Sequence, residues 1–378
     1  MIDLQESRRK IDEVDSLIVR LIEERMQLAM DVAEYKQSIG KPIYDAAREE
    51  EKLAALTAMT DNEFNKRAIA DLFKQIMSLS RRLQYTLLGN RQSLGPYAVD
   101  SFYVNNAARV AFFGECGSYT EQAMMDYFQA KVQGMPMGTF GEVMQAIKEG
   151  KAEYGVLPIE NSSTGTLSDI FDLLSEYDNF IIGEQHVKIE HNLWGLPGAK
   201  LSDIETVYSH KQGLLQCSQF LEQYPELKLI DGGSTSGSAR LVLESQDVTR
   251  AAVASRRAGE VHGLQLLQAS IQNEDHNTTR FIIISSQQMY LKGAKQTSIC
   301  FQVAHKSGSL YHLLSHFIYN NINMTKIESR PIPSRAFAYR IFVDVEGSLD
   351  APAVKNALHC IREEAVEMKI LGCYIPVQ

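Results

Sequence analysis

The beginning of this chain constrains its fold more than any other stretch. From about residue 4 to 38 one helical period runs unbroken, with Leu4, Ile11, Val14, Ile18, Leu21, Leu28 and Val32 along a single seam. Gly40 and Pro42 are the stop signals. The usual globular helix has ~11–12 residues, so this one is about three times as long. Two shorter helices should follow, one capped by Asp45 and running to about 58, the other from Phe64 to Leu88. They cannot cover the whole seam, so pairing with a second copy is expected. Polar residues interrupt the apolar faces. Arg25 takes a seam position, and Ser80 and Gln84 lie on the stripe of Ile69, Leu72, Phe73, Ile76, Met77, Leu83 and Leu87. Burying unpaired polar groups costs kilocalories. A cation and two neutral hydrogen-bonding groups facing an all-helical core therefore point to an internal site for a small polar anion.

Helical geometry sharpens this. Arg25 and Lys36 are separated by about 20° in phase and share a face. Arg8 lies roughly 42 Å from Lys36 along the same helix, so it can serve that site only from another chain. Asp45, Arg48 and Glu49 open the second helix, where Glu49 heads a stripe with Leu53 and Leu56. Each residue has a plainer role open to it: Asp45 as N-cap, Arg48 with Glu49 as a solvated pair, Ser80 as an incidental small residue, Arg25 as a snorkelling cation. Their joint placement on inward faces argues for a site.

The remainder has a different grammar. The 378 residues are enough for two or three domains. Residues 91–106 lose the period and carry Gly95 and Pro96, the mark of a linker. Residues 107–287 alternate strand and helix, which predicts open parallel sheets. The extended run Phe180–Leu196 suits two lobes joined by crossing strands, with ligand in the crevice. Residues 297–378 read β-α-β-β-α-β, the ferredoxin-like order. The net charge of −9 argues against nucleic acid or an anionic membrane as partner. The five scattered cysteines and the charged start MIDLQESRRK predict a reduced, cytoplasmic protein without a secretory leader. The nine histidines show no metal-ligand spacing.

Three loops combine Gly, Ser and Thr before predicted helices: Gly117-Ser118, Ser162-Ser163-Thr164-Gly165 and Ser234-Thr235-Ser236-Gly237. Such loops offer backbone N–H groups to an anion at a positive helix end. Gly114-Glu115-Cys116-Gly117 does not meet the dinucleotide fingerprint, which disfavours hydride transfer.

The helical segment resembles the all-α chorismate mutase domain, and the whole chain resembles the family in which that domain is fused to prephenate dehydratase. The resemblance implies that Arg8 from a partner chain and Arg25, with Ser80, grip the two carboxylates of chorismate. Lys36 and Gln84 would donate to the ether oxygen, and Glu49 with Asp45 would take the ring hydroxyl. Arg48 completes the pattern. Arginine suits planar carboxylates, and a unimolecular rearrangement needs shape and charge stabilisation rather than a covalent catalyst.

Residues 107–287 resemble the two-lobed α/β prephenate dehydratase domain through Gly117-Ser118-Tyr119-Thr120, Pro158-Ile159-Glu160-Asn161-Ser162, Ser209-His210 with Gln212, Ser234-Thr235, and Thr279-Arg280-Phe281. The loop residue Thr164 joins the expected substrate contacts. Thr279 is assigned as hydroxyl donor to the departing oxygen. A threonine is no strong acid, so another group or water supplies the proton, and Glu160 is a candidate only if it is buried. The sequence leaves open whether Arg280 binds a carboxylate or holds its loop, and whether His210 is an acid or a structural hydrogen-bonding residue. Lys211 stands where the family commonly has proline.

Residues 297–378 resemble the ferredoxin-like α+β ACT regulatory domain through Gly308-Ser309-Leu310-Tyr311 and Glu328-Ser329-Arg330-Pro331. Such loops bind phenylalanine at a subunit interface. The domains expected are thus 1–90, a linker at 91–106, 107–287 and 297–378. The function expected is conversion of chorismate to prephenate and of prephenate to phenylpyruvate, inhibited by phenylalanine, with no cofactor or metal and in at least a dimer. A mutase fused to a prephenate dehydrogenase and a non-catalytic amino-acid-binding regulator are the alternatives.

Overall fold

A computed structural model describes residues 3–87, 93–102, 104–105, 107–129, 132–333, 335 and 337–377. The expected helix end at Leu88 and linker residues Arg91, Gln92, Tyr103 and Asn106 lie outside them. The chain divides into two compact units, residues 1–95, 301–325 and 349–368, and residues 96–300, 326–348 and 369–378. The segment 297–378 therefore contributes to both.

The first unit is helical. Its long helix is Leu4–Ser38, started by Asp3, whose carboxylate accepts from the Gln5 and Glu6 amides. The second is Ala46–Thr57, and Asp45 does cap it, 3.1 Å from the Arg48 amide. The third, Glu63–Leu87, packs against the first, the second and the helix Pro352–Glu364, which in turn packs on Ser309–Tyr319. On the long helix only Ala29 and Ala33 are buried. Ile11, Val14, Leu21 and Leu28 of its seam are more than half exposed, at 53–57%. The third helix buries Ile76, Met77 and Tyr85, but also Ser78, Ser80, Arg81 and Gln84.

The second unit is built on two sheets. The larger orders its strands 324–331, 339–346, 296–302, 367–374, 180–188, 278–285, 154–161, 109–113 and 133–137, with 165–166 added beside 154–161. The smaller orders 265–268, 192–195, 250–254, 206–209 and 228–231. A third, two-stranded pairing joins Tyr97–Val99, within the expected linker, to Met289–Leu291. The sheets are mixed, not parallel throughout. Thr278–Ser285 runs antiparallel to both of its neighbours, and Asn192–Gly195 antiparallel to both of its own. The reason is topological. The chain leaves the first lobe along 180–188, enters the second at 192–195 and returns along 278–285, and a strand that returns must reverse direction.

Packing fixes three glycines. A Cβ on Gly372 would stand 2.4 Å from the Ile181 Cβ, at the one position where strands 367–374 and 180–188 pair. A Cβ on Gly259 would stand 2.2 Å from the Trp194 ring, and one on Gly117 2.7 Å from the Ala258 backbone. The first lobe's core gathers Met144, Ile147, Leu157, Ile170, Leu174 and Ile282. The second lobe has one cluster on each face of its sheet, around Val207 and Val253, and around Trp194 and Val242.

Candidate functional site

In the helical unit a cavity of about 230 Å³ is lined by Arg25, Lys36, Asp45, Arg48, Glu49, Ser80 and Gln84, with Ile43, Lys52, Met77 and Arg81 completing the wall. The first helix supplies two cations, the start of the second supplies the carboxylates, and one face of the third supplies Ser80 and Gln84. Arg25 donates to the Ser80 hydroxyl, which itself donates to the Ile76 carbonyl at 2.9 Å. Lys36 donates to the Ile43 carbonyl. Burial pulls the Arg25 guanidinium below its ordinary pKa, against the field of Glu49. Burial also lowers Lys36, opposed by Asp45 and Glu49. The Gln84 Oε1 is buried without a hydrogen-bond partner among the described residues. Arg48 is turned outward to Glu51 at 2.8 Å. Arg8 is exposed and borders no part of this cavity. Glu49 is ion-paired with Arg81, a residue the sequence reading missed. The signal was there: Met77, Arg81 and Gln84 follow at intervals of four and three, so Arg81 faces the same way.

In the α/β unit a second cavity, of about 200 Å³, lies between the crossing segment and the helix Lys211–Gln216. Ser163, Gln212, Leu215, Gln216, Gln272, Asn273, Glu274 and Asn277 line it. Of the expected residues only Gln212 borders it. Thr279, at 8% exposure, sits behind this wall in a chain of hydrogen bonds. The Asn161 Oδ1 accepts from the backbone amides of Ser163 and Thr164, both at 3.0 Å. Its amide nitrogen must therefore be the atom that donates to Thr279 Oγ1 at 2.8 Å and to Asn277 Oδ1 at 2.7 Å. Asn277 was also missed, although it stands two residues before Thr279 and so points to the same side of an extended chain.

Several of the other expected residues hold backbone. Ser118 caps Tyr119–Phe128 at 3.2 Å and Ser234 caps Thr235–Ser245 at 2.9 Å. Ser209 is fully buried and donates to the Val253 carbonyl at 2.8 Å. That hydroxyl explains Gly213, where a Cβ would lie 2.7 Å from it. The His210 ring accepts from the Gln212 amide at 3.2 Å, which favours the structural role of the two left open. Ser162 accepts from the Thr278 amide, and the Thr164 hydroxyl donates to Asn161. Phe281 is core. Glu160 is ion-paired with Lys326 at 2.7 Å and its side chain is 38% exposed, so the burial its proton-donor role requires is lacking. Arg280 is engaged by Glu184 at 2.6 Å, Asp344 at 3.3 Å and the Tyr374 hydroxyl at 2.8 Å. These partners tie Arg280 to strand 180–188 and to the C-terminal strands.

In the C-terminal segment Gly308 adopts φ +80° and begins the helix Ser309–Tyr319 without a side-chain cap, leaving Leu310 partly exposed. Glu328, Ser329, Arg330 and Pro331 end the strand 324–331, and Arg330 pairs with Asp172 at 2.6 Å. Among the described residues no helix is long and apolar enough to cross a membrane, and no three His, Cys, Asp or Glu side chains gather as a metal site.

Residues 7–85 match the family Chorismate mutase type II, and residues 110–289 match Prephenate dehydratase. A bifunctional chorismate mutase/prephenate dehydratase of Aquifex aeolicus is 31% identical over 379 residues, covering 99% of this chain and 98% of its own. Two solved structures share the fold of the later part. One is a prephenate dehydratase from Arthrobacter aurescens in complex with L-Phe, with TM-score 0.66 and 27% identity over 71% of this chain and 90% of that one. The other, described as a quorum quenching acylase, has TM-score 0.66 and 31% identity over 71% and 98%. The family matched at residues 110–289 is a dehydratase rather than a dehydrogenase, and both cavities fall inside matched segments. With a polar cavity among its helices, both family matches in one polypeptide and near full-length similarity to such enzymes, the chain belongs to the family of bifunctional chorismate mutase/prephenate dehydratases.

Proposed function

We propose that chorismate rearranges to prephenate in the helical cavity and that prephenate becomes phenylpyruvate in the cleft of the α/β unit. The observation that carries this reading is the convergence of Arg25, Lys36, Asp45, Glu49, Ser80 and Gln84 on one small cavity, with Arg48 at its edge. In the first reaction an ether C–O bond breaks as a C–C bond forms, with no group lost or gained. Arg25 holds a carboxylate with Ser80 beside it. Lys36 and the Gln84 amide stabilise the negative charge that grows on the ether oxygen, where a desolvated cation acts more strongly than in water. The free oxygen of Glu49 takes the ring hydroxyl. Arg8 completes the site from a second copy, whose long helix would also cover the exposed seam.

In the second reaction prephenate loses its ring carboxylate as CO2 and its ring hydroxyl, with a proton, as water. Aromatisation drives the step, so the task left to the protein is departure of hydroxide. Because Thr279 Oγ1 accepts from Asn161, its own proton is free to turn to the leaving oxygen. Phenylalanine would bind the C-terminal segment at a subunit interface and lower the flux. Five scattered cysteines with no CxxC pair suit a cytoplasmic setting. The test supplies chorismate alone. Prephenate should rise and fall as phenylpyruvate accumulates, and phenylalanine should slow the second phase. Prephenate that accumulates without onward conversion would reject the dehydratase half, and chorismate left intact would reject the mutase half.

A further inference from the structure

We propose that Arg81 is a positioning residue of the mutase reaction and that Glu364, on the helix Pro352–Glu364, sets its place. The Arg81 side chain is 5% exposed and lies between two carboxylates, Glu49 on one side and Glu364 on the other, one guanidinium nitrogen to each. The second oxygen of Glu364 meets His316 Nε2 at 3.0 Å, and His316 Nδ1 stands 3.5 Å from the buried Ser78 hydroxyl. The Tyr44 ring closes the arrangement, 5.0 Å from the guanidinium carbon. Arg81 borders both the mutase cavity and a neighbouring one of about 340 Å³, bounded in part by His316, Glu363 and Glu364. Glu49 is thus not a free carboxylate at the helix start. One of its oxygens is fixed by a buried cation, and its second accepts no hydrogen bond among the described residues. A carboxylate held this way offers one lone-pair face to a substrate hydroxyl in a set direction, whereas an untethered glutamate would sample several rotamers.

The energetics support a device rather than a bystander. A buried guanidinium loses its hydration and needs acceptors to offset that loss. Burial here opposes the charge, and Glu364 and Glu49 outweigh it. Removing either acceptor therefore shifts Arg81 toward the other. Glu364 lies 283 residues from Arg81 in sequence, so a residue of the C-terminal segment supports the mutase wall within the same compact unit. This inference rests on the reading of the helical cavity as the mutase site.

The test is a double-mutant cycle in the full-length protein. Arg81→Lys and Glu364→Gln are each made alone and in a Glu49→Gln background. Initial rates of chorismate consumption are measured, with dehydratase turnover of added prephenate as the control for folding. Glu364→Gln preserves shape and should lower mutase kcat by about 3- to 10-fold, and Arg81→Lys by about 10-fold, with KM changed less than kcat. In the Glu49→Gln background both effects should shrink below about 2-fold, because the group being positioned is gone. Losses that multiply in full in that background would overturn the proposal, since a purely structural role is blind to Glu49. So would a Glu364→Gln enzyme with unchanged mutase kcat. If the unaltered enzyme consumes no chorismate, the mutase assignment itself falls, which is a different outcome from either.

Discussion

A threonine hydroxyl has one proton and two lone pairs, and which of them faces a substrate depends on its neighbours. At Thr279 the neighbour is Asn161, whose amide can only donate because its oxygen is already bound to two backbone N–H groups. Thr279→Ala should lower phenylpyruvate formation by about 100-fold while chorismate consumption persists. Asn161→Ala should do nearly as much, because it frees Thr279 to turn its proton elsewhere and loosens the Ser163–Thr164 turn. Separate assays with chorismate and with prephenate check both, and equal loss of the two activities would argue against separate sites. A second prediction at this scale concerns Lys36. Burial lowers its pKa, Asp45, Glu49 and Glu363 oppose the shift, and Arg81 adds to it. A group whose pKa is depressed loses its proton at lower pH, and the neutral amine no longer stabilises an anionic ether oxygen. Mutase kcat/KM in the free enzyme should therefore fall on the alkaline side below the ordinary lysine range, and Lys36→Arg should move that fall upward. A profile flat through that range would remove Lys36 from the chemistry.

Strand Thr278–Ser285 connects most of what the α/β unit does. Its first residues carry Thr279 and Arg280, its middle is core at Phe281–Ile284, and it pairs on both edges. Arg280 ties this strand to Asp344 and Tyr374 of the C-terminal strands, while Thr279 faces Asn161. Tyr374→Phe removes the hydroxyl that accepts from Arg280 and should slow the dehydratase by about 2- to 5-fold without unfolding it, well under the ~1.5–3 kcal/mol of a hydrogen bond to a charged group because the effect on the reaction is indirect. A dehydratase rate unchanged within error would show that the link carries no catalytic weight. Elements of this kind were legible in the sequence where local chemistry dictates them. The long helix and Asp45 as a cap follow from periodicity and capping residues. What was not legible depends on distant partners. Nothing local says that Gly372 must be bare because Ile181 stands against it, or that Tyr97–Val99 finds Met289–Leu291 nearly two hundred residues later. The same division runs through the sites. Residues on one helix face could be grouped by phase, but Arg81 acquires its meaning from Glu364, and the donors of Arg280 were already engaged by acceptors no spacing rule connects to it.

At the scale of the whole molecule the unanswered surface is the seam of the first helix. Ile11, Val14, Leu21 and Leu28 stay more than half exposed, while the cavity at the other end of that helix holds Arg25 and Lys36 but no arginine from the first turns. Exposing so long an apolar stripe is costly at about 25 cal/mol per Å², and a second copy of the same helix relieves it by a symmetric contact. The two facts have one solution if the copy that covers the seam also brings its Arg8 to the cavity. The consequence is a complementation experiment. Arg8→Ala and Gln84→Ala chains are each expected to lose most mutase activity alone. In a heterodimer one site receives Gln84 from the first chain and Arg8 from the second, and is whole, while the other site lacks both. Random re-pairing of an equal mixture should therefore restore about one quarter of the wild-type sites. The dehydratase rate, measured on prephenate in the same mixture, reports that neither chain has unfolded in the exchange. Heterodimers that form, keep dehydratase activity and yet recover no mutase turnover would mean that Arg8 does not cross between chains, and the long helix would then need another reason for its exposed seam.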